Sequence, residues 1–132
     1  MPELTLERAD RIVAQGRAAA RDAGLDAVFA ILDTGAHLVA FSRMDGAWLA
    51  SNELAMAKAR TSVMFRMPSE ALDVPLQVGQ PYPRFDHIHA GGLLLMGGGV
   101  PLFNGDGQLI GALGVSGGTP EQDAVLARAA IA

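Results

Sequence analysis

The chain has 132 residues, half of them apolar and 18% charged, so it can bury a substantial core and does not have the composition of a disordered segment. Its formal net charge of −4, without a run of Lys or Arg, argues against nucleic acid and against a membrane as partners. The absence of cysteine excludes disulfides and thiolate chemistry, and no secretory signal is visible, so we predict a cytoplasmic protein. We expect one domain over residues 1–132.

The first half of the chain predicts a helix, a β-hairpin and a second helix. Thr5 can cap a helix whose apolar positions recur every three or four residues and which ends near Gly24. The short apolar runs 27–32 and 37–41 flank a cluster of turn residues, a pattern typical of a hairpin. Small and apolar residues from 47 to about 64 fit the second helix.

The second half predicts three strands and a final helix. Apolar runs at 93–96, 100–103 and 108–115 indicate strands, and a glycine-rich turn joins the last two. Thr119-Pro-Glu-Gln122 matches a capping box and opens a helix over about residues 120–130. Because the connections are short, the strands should pair antiparallel. The predicted fold is α+β, a five-stranded antiparallel sheet flanked by helices.

Two histidines stand near the end of residues 72–91, a proline-rich segment without helix or strand periodicity that we interpret as a functional or interface loop. In an extended backbone, His87 and His89 would face one side. They could then ligate a metal, hold haem iron or exchange protons with a substrate. The alternative is a loop whose histidines make ordinary hydrogen bonds.

A charged motif, Arg43-Met-Asp-Gly46, lies between the predicted hairpin and the second helix, and Lys58 follows on that helix. In a binding site, Arg43 and Lys58 would hold a carboxylate while Asp45 orients a ligand hydroxyl or polarises a catalytic group. Alternatively, Asp45 caps the helix and the two cations form ion pairs. The single tryptophan, Trp48, could stack on a flat ligand or pack in the core or at a subunit interface.

A glycine-rich segment precedes the last helix. Residues 114–118 match the G-x-S-x-G pattern of a hydrolase, but no histidine follows Ser116, so we reject that activity. The backbone N–H groups of Gly117 and Gly118 could instead bind an anion at the start of the helix. The alternative is a turn in which Ser116 is hydrogen-bonded locally.

Several segments in this order and at these separations resemble the GlcG/HbpS family, also called the DUF336 or haem-degrading-domain family, which includes the C-terminal domain of PduO proteins. The segments that carry the resemblance are Val28 to Asp33, Gly35, Arg43 to Gly46, Ala55 to Ala59, Gly98 to Pro101, Gly111 to Gly118, Gln122 and Asp123. The resemblance implies a profilin-like fold, assembly into dimers and larger symmetric oligomers, and a ligand site near subunit contacts.

We therefore expect a homo-oligomer that binds haem, a related tetrapyrrole or another planar ligand bearing carboxylates. The alternative is a small isomerase, hydratase or decyclising hydrolase of a catabolic pathway, acting by proton transfer on an oxygenated acid or ring-cleavage product. In that enzyme His87 or His89 would be the base, Arg43 would grip the acid group and Asp45 would orient the base. A third alternative is that oligomerisation itself is the role.

Overall fold

The computed structural model describes residues 3–81 and 88–132. In chain order its elements are α1 (Leu6–Asp22), β1 (Val28–Leu32), β2 (Leu38–Arg43), α2 (Ala50–Phe65), a 3-10 helix (Ser69–Leu72), β3 (Gly99–Phe103), β4 (Leu109–Ser116) and α3 (Pro120–Ile131). The strands form an antiparallel sheet in the order β2-β1-β4-β3. Among the described residues, every helix is too short or too polar to cross a membrane.

The helix ends follow the local signals of the sequence. The hydroxyl of Thr5 accepts a hydrogen bond of 3.1 Å from the N–H of Arg8, and the chain leaves α1 through Gly24, whose φ is 71°. At α3, Thr119 and Gln122 form the predicted capping box, in which each side chain accepts from the other's backbone N–H. These two predictions are confirmed.

The predicted fifth strand, at residues 93–96, is wrong, since the sheet has four strands. This segment lies against α2 and the 3-10 helix. The N–H of Leu94 donates to Thr61 Oγ1 at 3.0 Å, and the carbonyl of Met96 accepts from the Ser69 hydroxyl. Side chains thus satisfy backbone groups that a neighbouring strand would otherwise pair, and an apolar run by its pattern alone does not distinguish the two outcomes.

The sheet is a middle layer between α2 on one face and α1 with α3 on the other. Successive residues of β1 point to opposite faces. Phe29 and Ile31 join the larger core beneath α1 and α3, whereas Val28 and Ala30 pack against Ala55 of α2.

Helix α2 approaches the sheet closely because the strands present glycine at the contacts. A Cβ atom on Gly114 would collide with the carbonyl oxygen of Ala55, and one on Gly99 would collide with that of Lys58. The close approach lets inward side chains of α2 contact the backbone of β4.

The antiparallel register decides which loops share an end of the sheet. Val28 pairs with both Arg43 and Ser116, so the Arg43 motif and the glycine-rich turn lie at one end, which we call the motif end. Leu32 pairs with Leu38 and with Ala112. The turns that close the two hairpins therefore lie at the opposite end, which we call the hairpin end.

Candidate functional site

Lys58 is buried between α2, β4 and α3, and its charge is paired with a carboxylate of the same chain. The residue is 1% exposed, and its ammonium donates to Asp123 Oδ2 at 2.8 Å and to the carbonyl of Val115 at 2.9 Å. A buried lysine is tolerated when it is paired and hydrogen-bonded in this way. Lys58 thus forms the ion pair that the sequence left open as an alternative, with an ammonium that is inaccessible to a ligand.

The carboxylate of Asp123 occupies the anion seat that the sequence predicted. Its Oδ1 accepts from the N–H of Gly117 at 3.0 Å and from that of Gly118 at 2.8 Å. Ser116, beside them, is buried at 4% exposure. Sequence reasoning missed Asp123, although an acidic residue in the first turn of a helix is a signal for this contact, because it is attracted to the N-terminal N–H groups.

Arg43 and Asp45 lie at the motif end and line a cavity of about 400 Å³ together with Arg17, Arg21 and Asp26. Neither residue takes the structural role that the sequence left open. The N-cap position of α2 is Leu49, without a side-chain cap, so Asp45 does not cap this helix. Within residues 3–81 and 88–132, Arg43 forms no ion pair.

Trp48 precedes α2 and is 82% exposed, which excludes packing in the core of this chain. It lines a groove of about 570 Å³ with Leu54, Asp26 and the turn at Gly117. Asp26 also lines the cavity of Arg43, so the groove and that cavity adjoin. The exposed indole is accessible to a flat ligand or to a second subunit.

His89 lies at the hairpin end, in a cavity of about 780 Å³. We call it the His89 cavity; its wall includes Arg60, Val63, Met64, Arg66, Leu109 and the turn residues Gly35 and Gly107. His89 Nδ1 accepts from the N–H of Gly91 at 3.0 Å. Because neutral imidazole has one donor and one acceptor, this bond leaves the proton on Nε2. His87 lies outside the described residues, so its pairing with His89 stays a prediction.

Sequence reasoning missed Arg60 and Arg66, which provide the charge of the His89 cavity. Neither guanidinium forms an ion pair in the described ranges. Arg66 is the C-cap residue of α2 in a left-handed conformation, with φ of 58°. The signal in the sequence was the position of both arginines near the C-terminal end of a helix, where cations are favoured.

A further cavity at the hairpin end, of about 710 Å³, is lined by Glu3, Asp33, His37 and Asn104 among others. The backbone N–H of His37, together with that of Gly35, holds the pKa of Asp33 below its ordinary value. Asp33 Oδ1 accepts both bonds at 2.9 Å, which closes the β1–β2 turn. Among the described residues, no three His, Asp or Glu side chains form a group that could hold a metal ion.

Among the described residues, the structure does not bring Arg43 and Asp45 together with His89. Arg43 and Asp45 lie at the motif end and His89 at the hairpin end, in different cavities. The 16 residues of α2 extend about 24 Å between the two ends. Arg43 and His89 of one chain therefore lie in separate cavities, and a proton-transfer site that uses His87 stays a prediction, because His87 lies outside the described residues.

Comparison with known proteins places this architecture among relatives. The family model described as "Haem degrading protein HbpS-like" matches residues 4–132. The chain is 31% identical over 128 residues to an uncharacterized 15.0 kDa protein in the dhaT-dhaS intergenic region of Citrobacter freundii, a match that covers 97% of this chain and 89% of that protein.

Two solved structures have nearly the same fold. The crystal structure of the PduOC:haem complex superposes with a TM-score of 0.93 at 32% identity and covers 98% of this chain and 94% of that chain. The crystal structure of HbpS superposes with a TM-score of 0.88 at 30% identity and covers 98% of this chain and 89% of that one.

Proposed function

Because this chain belongs to the HbpS-like family, we propose that it is an oligomeric protein that binds haem or a related tetrapyrrole in the His89 cavity. The observation that carries the proposal is the likeness of nearly the whole chain to PduOC, a protein solved in complex with haem. Family likeness by itself does not transfer a ligand to a particular site. The site assignment therefore depends on the side chains of this chain.

The donors and the wall of the His89 cavity suit a tetrapyrrole. Met64 and Leu109 offer apolar surface to a planar macrocycle, while Arg60 and Arg66 can hold its carboxylates. The cavity of Arg43 combines these features less well, since its three arginines lie beside two aspartates and a single described apolar side chain. When bound, haem would supply an iron centre whose reactivity its surroundings tune.

His89 is arranged to donate a hydrogen bond into the cavity. With Nδ1 accepting from Gly91, its Nε2–H can donate to a ligand carboxylate. Ligation of iron through Nε2 would require the proton to move to Nδ1 and the bond to Gly91 to break. We propose the first role, a contact with a propionate.

A haem titration tests this proposal. Purified protein should develop a Soret band, and His89→Ala should weaken binding about tenfold without moving the band. The matched control is His37→Ala, because His37 is exposed and lies in a different cavity. A band that shifts in His89→Ala would assign iron ligation instead, and equal affinity in both variants would remove His89 from the site. A wild-type protein that gives only the spectrum of free haem would overturn the function itself.

Exposed apolar side chains at the start of α2 support the oligomer. Trp48 is 82% exposed, Leu49 76% and Leu54 36%. Large apolar patches that are exposed on a protein surface often mark sites of contact with another protein. A second copy of the chain covering this patch would also cover the groove beside Trp48.

Native mass spectrometry tests the assembly and reveals any retained ligand. Wild-type protein should appear as a multiple of the chain mass, and Trp48→Asp should shift it to smaller species. Val78→Asp serves as the control because Val78 is equally exposed, at 83%, but is neither part of α2 nor a lining residue of the groove beside Trp48. A monomeric wild-type protein, or the same assembly in both variants, would contradict the proposed interface.

A further inference from the structure

Three arginines converge on the cavity of about 400 Å³ at the motif end. Arg17 and Arg21 are one turn apart on α1 and therefore share a face of that helix. Arg43 is the last residue of β2. We call this the arginine cavity; it lies at the opposite end of the sheet from the His89 cavity and shares no lining residue with it.

Among the described residues, the three positive charges have no paired counter-ion. In the described ranges, none of these arginines forms an ion pair, although Asp26 and Asp45 line the same cavity. Like charges four residues apart on a helix destabilise it, as Arg17 and Arg21 do on α1. A bound anion would convert this repulsion into attraction.

One of the arginines is already held in place. Arg17 Nη1 donates to Ser42 Oγ at 3.2 Å, which ties α1 to β2 and fixes a guanidinium at the wall. A donor positioned before binding loses less side-chain entropy when the ligand arrives. The remaining N–H groups of Arg17, with those of Arg21 and Arg43, can contact an anion from more than one side.

From this geometry we infer that the arginine cavity binds a compact dianion, carried either by a phosphate or by a dicarboxylate. Among its lining residues Met44 is the only apolar one, so the cavity suits a small polar ion and offers little to a macrocycle. Guanidinium groups match the geometry of both phosphate and carboxylate oxygens. The inference does not depend on the proposed haem site.

Isothermal titration calorimetry at low ionic strength, with inorganic phosphate and separately with succinate, tests the inference and distinguishes the two sources. Arg21→Gln and Arg43→Gln should each weaken binding about tenfold. Arg11→Gln is the matched control. Arg11 also lies on α1 and is exposed, and its substitution by Gln removes the same charge from the protein. It should change affinity less than about twofold, because Arg11 does not line the cavity and makes no contact with an anion bound there. Asp26→Asn should tighten binding, because it removes a negative charge from the wall.

Three results would overturn the inference. They are the absence of heat with both probes, equal weakening in Arg43→Gln and Arg11→Gln, and dissociation of the oligomer in Arg43→Gln, which would mean that a neighbouring subunit supplies the counter-charge.

Haem titration of Arg21→Gln separates the two proposals. Haem affinity should be unchanged in this variant, so a failure of the anion site leaves the haem proposal standing, and the reverse also holds.

Discussion

Lys58 and Arg60 are two residues apart on α2 and have opposite roles. Lys58 is buried and donates to a carboxylate and to a carbonyl, whereas Arg60 is partly exposed, unpaired within the described ranges and faces the His89 cavity. Positions two residues apart on a helix differ by about 200° in direction. The side of the helix, and not the charge, decides which cation stabilises the fold and which can meet a ligand.

The same difference separates the two regions around α2. On its inward side, Lys58, Asp123 and the glycine-rich turn satisfy one another. On its outer and C-terminal side, Arg60 and Arg66 have donors directed at an open cavity. A satisfied buried network stabilises one structure, and unsatisfied surface donors are what a ligand can use.

The largest effect should come from breaking the inward network. Asp123→Asn leaves Lys58 charged and buried without its partner, which should lower the free energy of unfolding by about 3–5 kcal/mol. Urea unfolding measures this, with the exposed Asp10→Asn as control. The double variant Lys58→Met with Asp123→Leu should recover only part of the loss, because the N–H groups of Gly117 and Gly118 still lack their acceptor. If Asp123→Asn is as stable as Asp10→Asn, the ion pair of Lys58 and Asp123 does not stabilise the fold.

The next effect tests how closely α2 packs on β4. Gly114→Ala should lower the free energy of unfolding by about 1–3 kcal/mol, because the new Cβ meets the backbone of Ala55 and α2 must move. Gly105→Ala is the matched control, since nothing lies within 4 Å of a Cβ there. If the two variants unfold at the same urea concentration, the close contact between α2 and β4 is not as described.

The outer side of α2 should respond in the opposite way. Arg60→Gln should change the free energy of unfolding by less than about 0.5 kcal/mol, as is usual for surface positions, and weaken haem binding about tenfold. Arg128→Gln, on the exposed face of α3, controls for the lost charge. A large loss of stability in Arg60→Gln would erase the distinction between the two sides of the helix.

The smallest effect concerns pH and the turn beside the His89 cavity. The pKa of Asp33 lies below its ordinary value of 3.8 in the folded chain, so the unfolded chain binds more protons near that pH. Its stabilising contribution is therefore present above the ordinary pKa and is lost as the pH falls through the folded one. Because the Asp33 side chain is 41% exposed, we expect only a few tenths of a kcal/mol. Unfolding curves of wild type and Asp33→Asn at about pH 5 and pH 3 should converge at the lower pH, and parallel curves would contradict this.

The sequence by itself determined both ends of α1, the start of α3, the hairpin turns and the family. Thr5, Gly24 and the Thr119–Gln122 box could be predicted because their hydrogen bonds join residues at most a few positions apart. The family could be recognised because its segments keep their order along the chain. Both results depend on local chemistry or on linear spacing along the chain.

Only the tertiary structure decided the partners and the location of the charges. Lys58 meets Asp123 across 65 positions of sequence, and the segment 93–96 meets Thr61 across 33, contacts that no local pattern encodes. The register of β1 with β2 and β4 then separated Arg43 from His89. Long-range packing chooses among chemically equivalent partners, and it places Arg43 and His89 in separate cavities.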